Sequence, residues 1–338
     1  MSRPPRPNIY SVADRAGVSI ATVSRVQRDR GVVAAGTRDR VLRAIEELGY
    51  RPNGTGRALA EQRTDAIGIV FPDLSGPYYS EVIGGCEARV VAEARSLLIL
   101  GTHGRERAAD LVFDLAGRVD GLILMGRTLP DDVVLELDRT GVPLVLLARA
   151  GLEGIPSVRA ENVAAAEALA AHLLRGGHES IAFLGDPASS PDAAERWQGF
   201  LAAHEQAGRP APAAPVPTLF DEVHGHAAAG ELLDAAASPT ALMCASDEIA
   251  LGALAAAQER GLSVPGDLAV TGWDDIQVAR YVSPALTTVR QPLGLIGARA
   301  AELLFERIHT GATPAGEVLP TELVVRASCG RAPSSQTS

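Results

Sequence analysis

The chain has 338 residues, of which 46% are hydrophobic, 21% charged and 4% aromatic, a composition that suits a folded protein of about two domains and excludes a disordered or fibrous one. Its net charge of −10 averages two unlike parts. Residues 1–63 hold twelve arginines against six acids, the remainder nineteen against thirty-five, and lysine is absent. A basic head on an acidic body excludes a uniformly polyanion-coated or polycationic protein and points to a head that binds a polyanion.

No apolar run reaches the roughly 20 residues of a membrane span, and residues 1–10 carry no apolar leader, so a cytoplasmic location without membrane contact is expected. Cys86, Cys244 and Cys329 are odd in number and far apart. They are expected as buried thiols, not as a disulfide framework or a zinc site.

Taking the elements in order, apolar side chains recur at Ile9, Val12, Ala13 and Ala16, then at Val18, Val23 and Val26. This is helical spacing broken once, at Gly17, which can close a first helix in the left-handed conformation while Ser19 caps a second. A helix-turn-helix follows, with Ile20, Ala21, Ser24 and Arg25 on the outer face of the second helix, where they would enter a major groove. Arg25 suits a guanine edge, whereas Thr22 and Ser24 suit phosphates. A plain helical hairpin would share the spacing. Residues 37–48 place Val41, Leu42, Ile45 and Leu48 as the apolar face of a third helix, stopped by Gly49.

The stretches Ala16-Gly-Val-Ser19, Thr22-Val-Ser-Arg25, Glu46-Glu-Leu-Gly-Tyr-Arg-Pro-Asn53 and Arg57-Ala-Leu59 resemble the lactose-repressor (LacI) family of transcription regulators. The resemblance implies that Ile20, Ala21 and Arg25 read bases. It also implies that residues 52–59 form a hinge helix that folds on operator DNA, with Asn53 and Arg57 on the DNA and Leu59 wedged into the minor groove. Gly54 and Gly56 stand where the family carries better helix formers, and each costs about 0.5–1 kcal/mol of helix stability relative to alanine. Ala34 stands where a serine commonly caps the third helix, and Gln27-Arg28 replaces a more usual Leu-Asn.

Beyond residue 64, apolar runs at 67–71, 97–100, 121–125, 144–148, 181–184, 241–244 and 268–271 alternate with helical stretches, several closing at Gly141, Gly176-Gly177, Gly208 and Gly261. The alternation predicts an α/β body of parallel strands with crossover helices, each strand buried on both faces. About ten such elements are too many for one βαβ half. The resemblance implies a two-lobed periplasmic-binding-protein-like body whose chain crosses three times, near Glu161, Thr288 and Leu319. The expected organisation is a head at 1–51, a hinge at 52–63, an effector-binding and dimerisation domain at 64–330 and a tail at 331–338. Its N-lobe is expected at about 64–160 and 289–318, and its C-lobe at about 161–288 and 319–330.

Ligands in doubly wound sheets bind beyond the carboxyl ends of the strands. The polar and aromatic residues there include Asp73, Leu74, Tyr78, Tyr79, His103, Arg149, Arg196, Phe220, Asp247, Trp273 and Asp274. An arginine fork facing carboxylates between aromatic walls suits a neutral polyhydroxylated ligand, a sugar above all. The resemblance adds weight to Arg196, Asp247 and Asp274. Two other roles compete: Asp247 as a helix cap, and Asp275 as the cap of a turn. His224 and His226 read as a surface pair on a helix, not as metal ligands.

No P-loop, dinucleotide fingerprint, nucleophile elbow or zincin motif occurs, so neither a catalytic residue nor a cofactor is assigned. The expected function is a sequence-specific DNA-binding regulator, a repressor, whose partners are operator duplex DNA, a small-molecule effector and a second copy of itself. The tail lacks a leucine heptad for tetramers. A solute-binding protein of a transport system is the alternative, opposed by the basic head.

Overall fold

The computed structural model describes residues 7–27, 33–50 and 64–330. They group into two units divided after Asp65.

In the head, α1 (Ile9–Ala16) begins at a capping box in which the Asn8 side chain accepts from the Ser11 amide, and ends at Gly17, whose φ of +64° gives the left-handed turn. Then come α2 (Ile20–Gln27) and α3 (Ala35–Leu48). Ala34 starts α3 without a side-chain cap. Val12, Ala13, Ala16, Val23, Val26, Val41, Ala44 and Tyr50 form one core, and Arg15 ties α1 to α3 through Glu47 at 2.6 Å. The expected face of α3 needs one correction. Leu42 is 50% exposed and Ala44 is buried in its stead. Positions 41, 44, 45 and 48 share a stripe at 3.6 residues per turn, and residue 42 lies about 100° round from 41.

The body opens with β1 (Ala66–Phe71), α4 (Pro77–Ala92), β2 (Ser96–Gly101), α5 (Ala108–Ala116), β3 (Leu122–Met125), α6 (Asp131–Arg139), β4 (Leu144–Leu147) and β5 (Ser157–Ala160). The chain then passes into a second lobe. That lobe comprises α7 (Val163–Arg175), β6 (Ile181–Leu184), α8 (Pro191–Gln206), α9 (Glu222–Leu233), β7 (Ala241–Cys244), α10 (Asp247–Glu259), β8 (Ala269–Thr271) and β9 (Thr288–Arg290). It returns through α11 (Leu293–Thr310) and β10 (Glu317–Leu319), and crosses once more to β11 (Glu322–Val324).

The N-lobe sheet runs β10-β5-β4-β3-β1-β2 with parallel neighbours. Alternate residues of the apolar strands divide between two covers. Ile67, Ile69 and Phe71 pack with α4 and α11, whereas Ala66, Val70, Leu122 and Leu124 pack with α5 and α6. The C-lobe sheet, β6-β7-β8, is parallel and extended by bridges from Thr271 to Thr287 and from Asp274 to Arg290.

One strand departs from the expected double burial. β2 is the last strand of its sheet, and its Leu98 and Ile99 are exposed. An edge strand has a neighbour on one side only, which leaves these two side chains uncovered among the described residues. The four short strands β5, β9, β10 and β11 escape sequence periodicity because three or four residues with Ser, Arg, Glu or Thr among them show no run.

Candidate functional site

Two places carry polar groups in arrangements that packing alone does not require: the exposed face of α2 and the cleft between the lobes of the body.

On α2 the Ser19 hydroxyl oxygen accepts from the Thr22 amide at 3.3 Å, and the two hydroxyls lie 2.9 Å apart. Val23 and Val26 anchor the inner face. Ser19, Ile20, Ala21 and Arg25 are exposed and Ser24 half-buried. Thr22 is half-buried too, its hydroxyl engaged with Ser19. This is a short helix with a small-residue N-terminal turn and an arginine, dimensions that fit a major groove. Asn53, Arg57 and Leu59, together with Gly54 and Gly56, lie outside the described residues.

The cleft encloses about 540 Å³. Asp73, Tyr78, Tyr79, His103 and Arg127 line it from the N-lobe, and Asp192, Arg196, Phe220, Asp221, Ser246, Glu248 and Asp274 from the C-lobe. The lobes meet around it. Arg127 donates to the Ala188 carbonyl at 2.7 Å, and Arg159 pairs with Glu195 at 2.7 Å.

Arg196 is held at several points. Its Nε donates to Asn162 Oδ1 at 2.9 Å and its Nη1 to the Ala245 carbonyl at 2.6 Å, while the guanidinium carbon lies 4.6 Å from the centroid of the Trp273 ring. A planar cation stacked on an indole and tied at two nitrogens is preorganised to present its remaining donors. Opposite it, Asp274 accepts from Gln291 Nε2 at 2.5 Å, and its backbone sits at φ +114°. Burial raises the Asp274 carboxyl to about 7 against the pull of Arg196. Burial likewise raises Asp192.

Asp73 behaves in the opposite way. Burial tends to raise it, but donors from Ser75 Oγ and from the Leu74 and Ser75 amides, with His103 beside it, outweigh that and hold it below the usual range. Tyr78 and Tyr79 stand edge to face at 5.4 Å, and Tyr79 packs edge-on against Phe71. Burial keeps both phenols protonated.

Of the effector residues expected from the sequence, Asp73, Tyr78, Tyr79, His103, Arg196, Phe220 and Asp274 come together on this wall. Four do not. Leu74 packs over Gly101 and is partly exposed outside the cavity. Arg149 is buried beside the wall, where it pairs with Asp131 at 2.7 Å and donates to the Gly126 carbonyl. Trp273 lies wholly buried beneath Arg196 and acts as its platform. Asp247 is wholly buried behind the wall, its carboxylate oxygens accepting from the Thr288 hydroxyl at 2.6 Å and the Ile276 amide at 2.9 Å.

Ser246, not Asp247, caps α10, its hydroxyl accepting from the Ile249 amide. Asp275 caps no turn. It is the meeting point of Arg290, Arg326 and Arg280 beside the crossover strands.

Sequence reading missed Arg127, Asp192, Asp221 and Glu248 on the wall. Arg127 stands two residues past the end of β3, where the rule that found the others applies equally. Glu248 reads as an ordinary first-turn residue until the N-lobe closes over it. His224 and His226 pair with Asp221 and Glu259. Among the described residues no group of three or more His, Cys, Asp or Glu is placed to hold a metal, and no helix is long and apolar enough to cross a membrane.

Residues 8–53 match the pattern of bacterial regulatory proteins of the lacI family, and residues 170–329 that of a periplasmic binding protein-like domain. Catabolite control protein A of Priestia megaterium is 36% identical over 301 residues, spanning 88% of this chain and 91% of that protein.

The chain belongs to the LacI family.

Two solved structures of the family extend the likeness to the fold. The lac repressor dimer bound to operator and the anti-inducer ONPF has a TM-score of 0.86 at 30% identity, covering 96% of this chain and 99% of that one. The transcriptional regulator CelR in complex with cellobiose has a TM-score of 0.71 at 34% identity, covering 96% and 100%. As a LacI-family member this chain is a DNA-binding transcriptional regulator controlled by a small-molecule effector, and the transport alternative is not favoured.

Proposed function

We propose that the chain is a homodimeric repressor, acting in the cytoplasm, that holds an operator through Ser19, Ile20, Ala21, Thr22, Ser24 and Arg25 and takes a sugar in the cleft. The reading assigns residues 1–51 to the head, 52–63 to a hinge that carries Asn53, Arg57 and Leu59 onto DNA, and 64–330 to sensing and dimerisation. It assigns no catalytic step.

The observation that carries it is the cleft wall. An immobilised guanidinium and several carboxyls face a cavity with aromatic sides, and a vicinal diol can donate to the carboxyls while accepting from the arginine. The relatives support the same choice, since one structure holds a dimer on operator and another holds cellobiose. The exposed edge of β2, with Leu98, Ile99 and the nearby Val91 of α4 uncovered, supplies an apolar face for a second copy.

Closure of the lobes on a sugar changes the spacing of the two hinges, and a coupling of about 1–3 kcal/mol is enough to shift operator occupancy. The test is operator binding by the purified protein, measured by fluorescence anisotropy with and without a sugar panel. The reading expects selective binding of one promoter fragment and a change of about fivefold or more with one sugar. Equal affinity for promoter and random duplex, in every condition, overturns it.

A further inference from the structure

Five carboxyls line the cleft, from Asp73, Asp192, Asp221, Glu248 and Asp274, against Arg127, Arg196 and His103. The cations already have protein partners. Arg127 donates to the Ala188 carbonyl, Arg196 to Asn162 and the Ala245 carbonyl, and His103 Nδ1 lies 3.1 Å from Asp73. Four of the carboxyls are held as well: Asp73 by its own loop, Asp192 by Asn162, Asp221 by His224 and Asp274 by Gln291.

Glu248 is different. It is 5% exposed, lines the cavity and has no hydrogen bond or ion pair among the described residues. Its Oε1 lies so close to the N-lobe backbone at Gly76 that a Cβ there would sit 2.0 Å away. The charged groups around it, Asp274, Glu222, Asp221 and Asp73, are all acidic. A buried carboxyl without a donor lacks one partner that a ligand can supply. A ligand anion brought beside Glu248 would meet carboxyls as its nearest charged neighbours, while the cations of the cleft are each already engaged in part by a protein acceptor.

We propose that Glu248 is the charge filter of this cleft: it receives a hydroxyl of an uncharged sugar and excludes the phosphorylated or carboxylated form of that sugar. The inference rests on the cleft being the effector site. It assigns a specificity role to a residue that touches the N-lobe from the C-lobe, so the filter is complete only when the lobes are together.

Calorimetric titration of the full chain tests it with matched pairs: glucose and glucuronate, ribose and ribose 5-phosphate, galactose and galacturonate. One neutral member binds, and its charged partner is weaker by about tenfold or more. A smaller gap overturns the filter while leaving the sugar site standing. Failure of all six to bind overturns the sugar reading, and the filter with it. Glu248→Gln narrows the gap by about threefold or more, Glu248→Asp retains it, and Glu231→Gln, on the exposed side of α9, leaves it unchanged. An unchanged gap in Glu248→Gln removes the role from this residue.

A measurement without any variant is the pH dependence of the gap for the carboxylate pairs, whose ligand charge is constant above pH 6. The gap widens from pH 6 to 8.5 as Asp274, beside Arg196, Asp192 and Glu81, and then Glu248, beside Asp274, Asp221, Glu222, Asp73 and Tyr79, lose their protons. A flat profile overturns the proposal.

Discussion

Arg196 and Asp247 are both buried charged residues of the C-lobe, matched alike to effector positions by sequence resemblance, yet their surroundings give them different work. Arg196 keeps donors toward the cavity, whereas both oxygens of Asp247 are spent on Thr288 and Ile276. Arg196→Ala is expected to abolish the effector response while operator binding persists, read by anisotropy with and without sugar. Asp247→Ala is expected to act on stability instead, since the Thr288 hydroxyl and the Ile276 amide each lose their acceptor at about 1–3 kcal/mol. Urea unfolding checks it, and an unchanged midpoint refutes it. On α2, Arg25→Ala is expected to relax preference at one base pair by about 1–3 kcal/mol, measured against a set of single-site operator variants. A uniform loss over the set would place Arg25 on phosphate. The sequence was enough to place Arg25 on an exposed helix face, because Val23 and Val26 define the opposite one. It could not separate Arg196 from Asp247, because burial behind a wall and burial in a wall leave the same letter in the chain.

The helices of the body approach one another closely, and glycine makes this possible at the α4–α11 contact. A Cβ on Gly297 would lie 2.0 Å from the Val82 carbonyl oxygen, and one on Gly85 would lie 1.8 Å from that of Gly294. Backbone cannot give way as a side chain can, so Gly297→Ala is expected to lower stability by about 1–3 kcal/mol, seen as a lower urea midpoint with secondary structure retained. These glycines sit within helices where local propensity argues for alanine, so only the partner helix explains them. The longer strands were legible because each is an apolar run covered on both faces. β2 has the same apolar letters and lies at an edge, since sequence records hydrophobicity and not whether a neighbour from the same chain arrives to cover it. Three of the unread strands, β9, β10 and β11, flank the later passages between lobes, and β5 stands before the first. Three or four residues there are held by pairing with distant strands.

For the whole molecule, the cleft links protonation to stability. Glu248 and Asp274 have carboxyls raised by burial to about 8 and about 7, whereas the unfolded chain ionises them near 4. The folded state therefore holds protons that the unfolded state has lost, and stability falls as pH rises through that window. Asp73 and Asp221, held below their usual range, act oppositely but only under acid conditions. His172, lowered by burial, contributes below about pH 6.5. Between pH 6.5 and 8 Glu248 and Asp274, together with Asp192 and Asp247, whose carboxyls burial also raises, set the slope, so the ligand-free melting temperature is expected to drop across that range and to drop less in Glu248→Gln. Equal drops would sever the link. The order of basic head and acidic body, the helix-turn-helix and the alternation of strands and helices were determined by the sequence itself. Each depends on neighbours a few residues away, through helical spacing, capping and apolar runs. Which carboxyl faces the cavity, which lies behind it and which stands without a donor was decided only when the lobes came together, because residues 172 positions apart, such as Gly76 and Glu248, meet by tertiary packing and by no local rule.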